Sequence, residues 1–367
     1  MRSRNSTSTK IDPRLKELFK PLLKQKKLTH FYIAWGSLEK KAYPKEYMKP
    51  VGNYFFDLAS LTKVLATLPL VLKRTIPPYR SLEKTLGTFL EIAGCETFPP
   101  SLCKLSLETL LRHSSGLVAW RNYWTNRLDL DFPVHSFDRV KKRKVVFERL
   151  SYANVMSQSD QKFLYSDVGY LILGLFLEAV CDENLTELFR RFCRDDLGMD
   201  STQLFFPTGE ETQRFAPTSY CLIRERQLVG EVHDENAASL GGSCGHSGLF
   251  ASGAGLVDFL KSYFSSPQGL SLLLENQRLS KQTQAGEYLL GWQHHRFDFA
   301  NDELVMRHLG FTGTGVWIFP RRNQFITILT NRVMSSRTSS WIQGLRNDIC
   351  KILWEEDLSR LELVVNP

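Results

Sequence analysis

The stretch "FFDLASLTKVLATLPLV", Phe55 to Val71, places a serine and a lysine three residues apart, where a strand-like run gives way to a helix-like one. Apolar residues recur at helical spacing from Leu61 onward. We therefore expect Ser60 near the start of a helix, with Lys63 one turn further along. A serine hydroxyl in this position beside an amine is either a helix N-cap or a nucleophile with its base.

The Ser-x-x-Lys spacing does not decide between these two interpretations, because other copies of it lie in polar or boundary surroundings. Lys63 differs because it lies within an apolar helix, where a charge is unfavourable unless it has partners. The nucleophile interpretation therefore depends on the partners that the chain supplies. The other copies are Ser37/Lys40, Ser81/Lys84, Ser101/Lys104 and Ser159/Lys162.

Length and composition describe a globular protein with a sizeable core. The chain has 367 residues, of which 43% are hydrophobic and 23% charged, enough for one large domain or two modest ones. No apolar run approaches the roughly 18 residues of a membrane span, and the first residues lack the apolar core of a signal peptide. Seven cysteines without a C-x-x-C pair favour reduced thiols over a disulfide framework or a zinc site. These features predict a cytoplasmic protein, or a periplasmic one if this sequence is a processed form.

Positive charge is concentrated in two places. The net charge is +8, and residues 1–50 carry 13 Lys/Arg against 4 Asp/Glu, with a second basic group, "KKRK", at 141–144. No helix-turn-helix, zinc-finger or aromatic RNA-binding signature accompanies this charge. We therefore expect solvated basic faces and no nucleic-acid partner.

The order of patterns along the chain predicts two lobes in one domain spanning 11–367, after a disordered segment at 1–10. A lysine-rich helix is expected around Arg14–Lys27, followed by strands and the Ser60 helix. Mainly helical patterns then continue to about 204, and short strand-like runs and a last helix at Trp341–Trp354 close the chain. This predicts an α/β lobe from about 11–80 plus 205–367, with a helical lobe, about 81–204, inserted between its halves.

Two further motifs combine polar side chains with turns. In "FLYSDVGYLILG", Phe163 to Gly174, Tyr165 precedes a helical run that Ser166 or Asp167 would cap. In "MRHLGFTGTGVWIFP", Met306 to Pro320, His308 and several glycines precede a strand. Alone, the first motif indicates ordinary capping and the second a hairpin with glycines in its turns.

The order of the three motifs along the chain is more specific for a protein family than any one motif. They are Ser-x-x-Lys, Tyr-Ser-Asp and His-x-Gly before a strand. With these motifs the sequence resembles the serine β-lactamase-like and penicillin-binding-protein-like superfamily, of the class C β-lactamase, D-alanyl-D-alanine carboxypeptidase and esterase type. The stretches "ETLLRHSSGL" and "VHDENAASLGGSCGHSGLFAS" are similar to segments of the same family. The resemblance covers about Phe31 to Trp354. It implies an α/β fold with a central antiparallel sheet flanked by helices and an inserted all-helical lobe.

The resemblance also implies a mechanism. Ser60 would attack an acyl carbonyl and become an acyl-enzyme, with Lys63 or Tyr165 as the base, a choice the sequence leaves open. His308 would lend positive or polar character beside Tyr165, where many relatives have lysine. No metal or organic cofactor is implied.

The segment after His308 would bind the substrate. Its members are Leu309, Gly310, Phe311 and Thr312, and the backbone N–H of Phe311 would complete an oxyanion hole with that of Ser60. The substrate would be a small-molecule or peptide acyl compound. The oligomeric state stays open.

Two positions depart from the family pattern. Asp167 stands where asparagine is common; it cannot donate a hydrogen bond to a substrate carbonyl, and it would tend to keep Lys63 protonated. Leu309 replaces a threonine or serine whose hydroxyl helps to hold a substrate carboxylate. Unless Arg307 or another cation substitutes, this loss disfavours β-lactams and D-alanyl peptides with a free carboxylate. The resemblance thus leaves three activities open, those of an esterase, a D-amino-acid peptidase and a weak β-lactamase, and the two departures favour the first two.

Other polar groups give weaker signals. The adjacent His294 and His295 do not suit one metal on a strand, because neighbouring side chains face opposite ways. We interpret His246, near Cys244, as loop packing, and the cluster 233–236 as structural, shaping the rim of the site. The alternative to a hydrolase is a catalytically silent family member that binds a peptidoglycan fragment or an acyl ligand.

Overall fold

The computed structural model describes residues 11–74, 80–95, 98–123, 144, 146–150, 163–209, 213–300, 303–356 and 358. The predictions for residues 1–10, for 141–143 of the second basic group and for the pair Ser159/Lys162 lie outside the described residues. No helix within these described ranges has both the length and the apolar character needed to cross a membrane.

A six-stranded sheet forms the centre of the molecule, and each neighbouring pair in it is antiparallel. Its order, β2-β1-β12-β11-β10-β9, pairs the start of the chain with its end, so that Phe31 lies opposite Thr330. The expected central antiparallel sheet is therefore confirmed. The strands are β1 (Phe31–Ser37), β2 (Lys45–Lys49), β9 (Gln293–His295), β10 (Val305–Leu309), β11 (Gly315–Phe319) and β12 (Gln324–Thr330).

A second, smaller sheet carries the strand that leads to Ser60. Its order is β4-β8-β3-β5, and β3 ends at Asp57, three residues before the serine. A separate two-stranded hairpin lies between β5 and β8 in the chain. The bounds are β3 (Tyr54–Asp57), β4 (Leu204–Phe205), β5 (Arg214–Phe215), β6 (Tyr220–Cys221), β7 (Arg226–Gln227) and β8 (Phe250–Ser252).

Helices cover both faces of the large sheet, because apolar residues occupy both faces of its strands. On β1, Phe31, Ile33 and Trp35 join the core beneath the first and last helices, whereas Tyr32 and Ala34 join the core around the Ser60 segment. The α-helices with both ends inside the described ranges are Pro13–Lys24, Leu68–Arg74, Leu86–Ile92, Pro100–Cys103, Leu107–Leu111, Asp167–Cys181, Leu185–Arg191, Glu235–Ser239, Gly253–Phe264, Pro267–Ser280 and Trp341–Glu356. Residues 144 and 146–150 are also helical.

The Ser60 segment is not the regular α-helix that its periodicity predicts. A 3₁₀ turn at Ala59–Leu61 leads into a π-helical turn at Lys63–Thr67, and the α-helix begins only at Leu68. Side chains of the π turn bind another loop, since the Thr67 hydroxyl donates to the Gly245 carbonyl at 2.6 Å. Such π turns occur mostly as single turns within α-helices and are frequent at functional sites.

The Asp167–Cys181 helix is buried along most of its length and lies against the loop that the Ser60 segment contacts. Ser166 rather than Asp167 is its N-cap, since the Ser166 hydroxyl accepts the Gly169 N–H at 3.1 Å. Glycine allows the close approach of helix and loop. A Cβ on Gly245 would lie 2.1 Å from the Tyr170 carbonyl oxygen, a backbone atom that cannot move aside.

Replacing Gly245 with alanine should lower the free energy of unfolding by roughly 1–3 kcal/mol, because the helix must shift to admit the methyl group. Urea denaturation measures the change. Gly344→Ala is the control, since Gly344 lies in the last helix with open space around its Cβ position. This change should be neutral or stabilising by up to about 1 kcal/mol. Equal effects of the two substitutions would contradict the packing argument.

Candidate active site

A strained turn presents Ser60 at the end of β3. Ala59 has φ +47°, a left-handed conformation that is uncommon for residues with a Cβ. The buried Asp57 carboxylate supports this turn by accepting the Ala59 N–H at 2.8 Å and the His233 N–H at 2.7 Å. Burial raises the pKa of Asp57 to about 6. The turn is thus held by local hydrogen bonds rather than by glycine.

Lys63 has the partners that a buried cation requires. Its side chain is fully buried, and its Nζ lies 2.7 Å from Asp167 Oδ1, 3.0 Å from the His246 carbonyl oxygen and 3.2 Å from Ser60 Oγ. Three segments that are distant in sequence therefore meet at one ammonium group. The nucleophile interpretation of Ser60 required that the chain supply partners for Lys63, and the structure shows these partners.

Tyr165 completes the contacts around the serine. Its hydroxyl is in hydrogen-bonding reach of both Ser60 and Asp167, and its ring centroid lies 5.1 Å from Lys63 Nζ. Burial, and next the nearby Asp167 carboxylate, raise the pKa of Tyr165 well above its usual value. At neutral pH the phenol therefore keeps its proton.

His308 lies on β10 in a group of stacked rings. Its ring centroid is 6.1 Å from that of Tyr165, and neither of its ring nitrogens has a hydrogen-bond partner within the described ranges. Burial, and next the Lys63 charge, lower the pKa of His308 to about 3. The imidazole is therefore neutral at pH 7, which makes its contribution polar rather than positive.

The segment after His308 runs along the cavity in which these groups lie. Leu309, Gly310 and Phe311 line it, and the Phe311 side chain is 46% exposed. Thr312 is buried instead, and its hydroxyl donates to the Asp57 carbonyl at 2.7 Å. Thr312 therefore ties this segment to the end of β3, and its role in substrate binding stays a prediction.

The cavity has a volume of about 570 Å³ and gathers most of the predicted site residues. Lys63 lies buried beneath Ser60 at its wall. The predicted residues that line the cavity are Ser60, Tyr165, Asp167, His308, Leu309, Gly310 and Phe311.

The structure joins His246 and Asp234 in a contact that the sequence did not predict. His246 Nε2 lies 3.0 Å from Asp234 Oδ1, and both residues line the cavity. Burial opposes ionisation of Asp234, but the His246 ring and the Ala237 N–H together hold the pKa of this carboxyl well below its usual value. The position of Asp234 agrees with the expectation that the run 233–236 shapes the rim of the site. The interpretation of His246 as loop packing is wrong, because its ring lines the cavity.

Four arginines also line the cavity, and patterns along the chain indicated only one of them, Arg307. The others come from the end of the chain: Arg332, Arg337 and Arg346. In the part of the chain that the structure describes, no group of three or more His, Cys, Asp or Glu side chains could hold a metal ion.

These features define a class of protein. The family model described as Beta-lactamase matches residues 34–342, and the chain belongs to this family of serine hydrolases. The β-lactamase-like fold that the sequence predicts is thereby confirmed.

The named relatives include proteins described as an amidase and as a carboxypeptidase. The N-acetylmuramyl-L-alanine amidase of Bacillus subtilis (strain 168) is 27% identical over 307 residues, which cover 76% of this chain and 68% of that protein. An Escherichia coli (strain K12) protein named "Putative D-alanyl-D-alanine carboxypeptidase" is 26% identical over 337 residues, which cover 82% of this chain and 74% of that protein. Among solved structures, a class C β-lactamase from Rhodobacter sphaeroides superposes with a TM-score of 0.63 at 15% identity, covering 93% of this chain and all of that one. The last similarity concerns the fold alone.

The depressed pKa of His308, about 3, makes this residue a source of acid sensitivity. The unfolded state takes up the proton near pH 6.5 and the folded state only near pH 3, so stability falls as pH drops below 6.5. The His308→Gln variant should lose roughly 2 kcal/mol less than the wild type between pH 7 and pH 5. Urea denaturation at both pH values measures this, and parallel losses in the two proteins would refute it.

Proposed function

We propose that this protein is a serine hydrolase that cleaves an ester or amide through an acyl-enzyme on Ser60. One observation carries the proposal: Lys63 Nζ lies 3.2 Å from Ser60 Oγ at the wall of a large cavity, with Tyr165 in reach of the same hydroxyl. A nucleophile needs a proton acceptor in reach and an open space for the acyl group, and this site offers both.

The contacts favour a proton path through Tyr165 to Asp167. Lys63 Nζ pairs with Asp167 Oδ1 at 2.7 Å, so we assign it the role of stabilising negative charge on Ser60 Oγ rather than that of the base. As Ser60 attacks, its proton passes to the Tyr165 oxygen while Tyr165 gives its own proton to Asp167. No tyrosinate forms, which agrees with the raised pKa of Tyr165. The reverse transfer protonates the leaving group, and water repeats the cycle at the acyl-enzyme.

The backbone N–H groups of Ser60 and Phe311 are the proposed oxyanion hole. Both residues line the cavity, and the peptide that carries the Phe311 N–H is held from behind, because Arg346 Nη2 donates to its carbonyl oxygen, that of Gly310, at 2.9 Å. A hydrogen bond to that carbonyl fixes the direction in which the peptide lies. Each donor of an oxyanion hole contributes roughly 3 kcal/mol to catalysis.

The alternative function is that of a silent family member that binds a peptidoglycan fragment or acyl ligand without cleaving it. The short contacts at Lys63 speak against it, because a binding protein has no need of a buried lysine directed at a serine. The named amidase and carboxypeptidase relatives make amide bonds to amino acids the first substrates to test beside simple esters.

Exposure to a fluorophosphonate, a p-nitrophenyl ester and a penicillin, followed by intact-mass spectrometry, tests the nucleophile. We expect one adduct that maps to Ser60 and is absent from Ser60→Ala. The distribution among the three reagents shows which acyl group the site prefers. An adduct that persists in Ser60→Ala would show that another residue is the nucleophile. Absence of any adduct in folded protein would favour the silent alternative.

The Asp167→Asn variant tests the proton path. It removes the proposed acceptor, and we expect the rate of Ser60 acylation to fall by about 100-fold or more, with partial recovery in Asp167→Glu. The comparison variant is Asp196→Asn, which breaks a surface ion pair with Lys73 of similar length, 2.5 Å, and should leave the rate unchanged. An Asp167→Asn protein as fast as the wild type, or faster, would instead identify Lys63, freed from its ion pair, as the base.

A further inference from the structure

The part of the cavity beside Leu309 holds three guanidinium groups without carboxylate partners. Among the residues that the structure describes, Arg307, Arg332 and Arg346 form no ion pair, whereas Arg337 pairs with Glu235 and Lys63 with Asp167. Uncompensated buried charge is unfavourable, so such a cluster calls for an explanation.

The three groups are held in place by neutral acceptors. Arg307 Nε donates to Gln293 Oε1 at 2.8 Å, and its Nη1 lies 3.2 Å from His295 Nε2. His295 is uncharged at neutral pH, because burial, and next Arg307, lower its pKa to about 3. These contacts orient the Arg307 guanidinium without neutralising it.

Arg332 and Arg346 are oriented by backbone carbonyls. Besides Phe311, Arg332 donates to the carbonyl of Ser339 at 3.0 Å, and Arg346 Nη2 donates to those of Gly310 at 2.9 Å and Thr314 at 2.5 Å. Both side chains are more than nine-tenths buried, and Arg346 Nε has no hydrogen-bond partner within the described residues. Burial, and then Arg332 and Arg307, lower the pKa of Arg346 to about 9, as expected for cations without a nearby anion.

Charge around the cavity is correspondingly unbalanced. The lining groups together with Lys63 comprise five lysine or arginine side chains and three carboxylates, an excess of two positive charges before any histidine is counted. The carboxylates belong to Asp167, Asp234 and Glu235, and none of them pairs with the three arginines. A ligand with two negative charges would balance the cavity.

We propose that Arg307, Arg332 and Arg346 form an anion subsite for a substrate that carries two negative charges on oxygen, as two carboxylates or a phosphate monoester. Guanidinium groups match both through paired N–H donors. This inference rests on the proposed hydrolase function and extends it to a substrate class. It also reverses the expectation drawn from Leu309, because guanidinium groups replace the missing hydroxyl as the anion donors.

Binding to the Ser60→Ala protein tests the subsite without any need for turnover. Isothermal titration with glutarate, its monoamide and its diamide compares two, one and no negative charges on nearly the same skeleton. We expect affinity to fall in that order, and inorganic phosphate tests the second source of a dianion. Equal affinities for the three glutarate compounds, or no detectable binding of either glutarate or phosphate, would overturn the proposal.

Substitution of Arg307 locates the site. In the Ser60→Ala background, Arg307→Gln should weaken glutarate binding about tenfold or more. Arg307→Lys should weaken it less, because lysine keeps the charge but loses the paired N–H donors of the guanidinium. Arg278→Gln is the matched control, since Arg278 pairs with Glu275 on the surface, and it should bind glutarate like the parent protein. Unchanged binding in Arg307→Gln would mean that any anion binding is adventitious.

The two proposals fail separately. Glutarate binding that depends on Arg307 in a protein without a Ser60 adduct would leave the anion subsite standing and remove the hydrolase. An adduct at Ser60, together with glutarate binding that does not depend on charge, would support the hydrolase and remove the anion subsite.

Discussion

The fully buried ammonium group of Lys63 is the constraint on which the site depends. Removing such a charge from water costs several kcal/mol, and only close oxygen partners offset that cost. Here the partners are Asp167, the His246 carbonyl and Ser60, which belong to a helix, a loop and the turn after β3. Satisfying one charge therefore requires three distant segments to meet. The same contacts place the serine hydroxyl beside a cation, so the stability of the site and the proposed role of Ser60 depend on one set of interactions.

The surrounding packing follows from this meeting point. The π turn at Lys63–Thr67 lets Lys63 and Thr67 donate to the neighbouring carbonyls of His246 and Gly245. The helix that starts at Asp167 lies against the same loop, and the absence of a side chain at Gly245 permits that approach. Bulk at this glycine would separate Asp167 from Lys63 as well as loosen the core. Gly245 thus supports the ion pair between Asp167 and Lys63, because it allows the helix and the loop to approach closely.

Much of the fold and the inner part of the site could be predicted from local patterns and their order. Short strand-like runs predict strands such as β12, all of whose residues are buried. Ser60, Lys63, Tyr165, Asp167 and His308 stand in recognisable motifs. The π turn was not predictable. The periodicity of apolar residues indicates which side of a helix a residue lies on, but not which backbone hydrogen bonds the helix forms. The pair His246 and Asp234 was missed for a different reason. Its members acquire their meaning only from contacts across the fold, which no local pattern encodes.

The two departures from the family pattern make physical sense together. On the serine side of the cavity, Asp167 and Lys63 balance one another in an ion pair. The unpaired arginines lie on the side of Leu309, where the family's hydroxyl is lost. A positive charge confined to one side of the cavity would orient an anionic substrate more strongly than one hydroxyl does, because Coulomb interactions act over longer distances than hydrogen bonds. A leucine at position 309 is therefore compatible with recognition of anions, since charge rather than a single hydrogen bond determines the orientation.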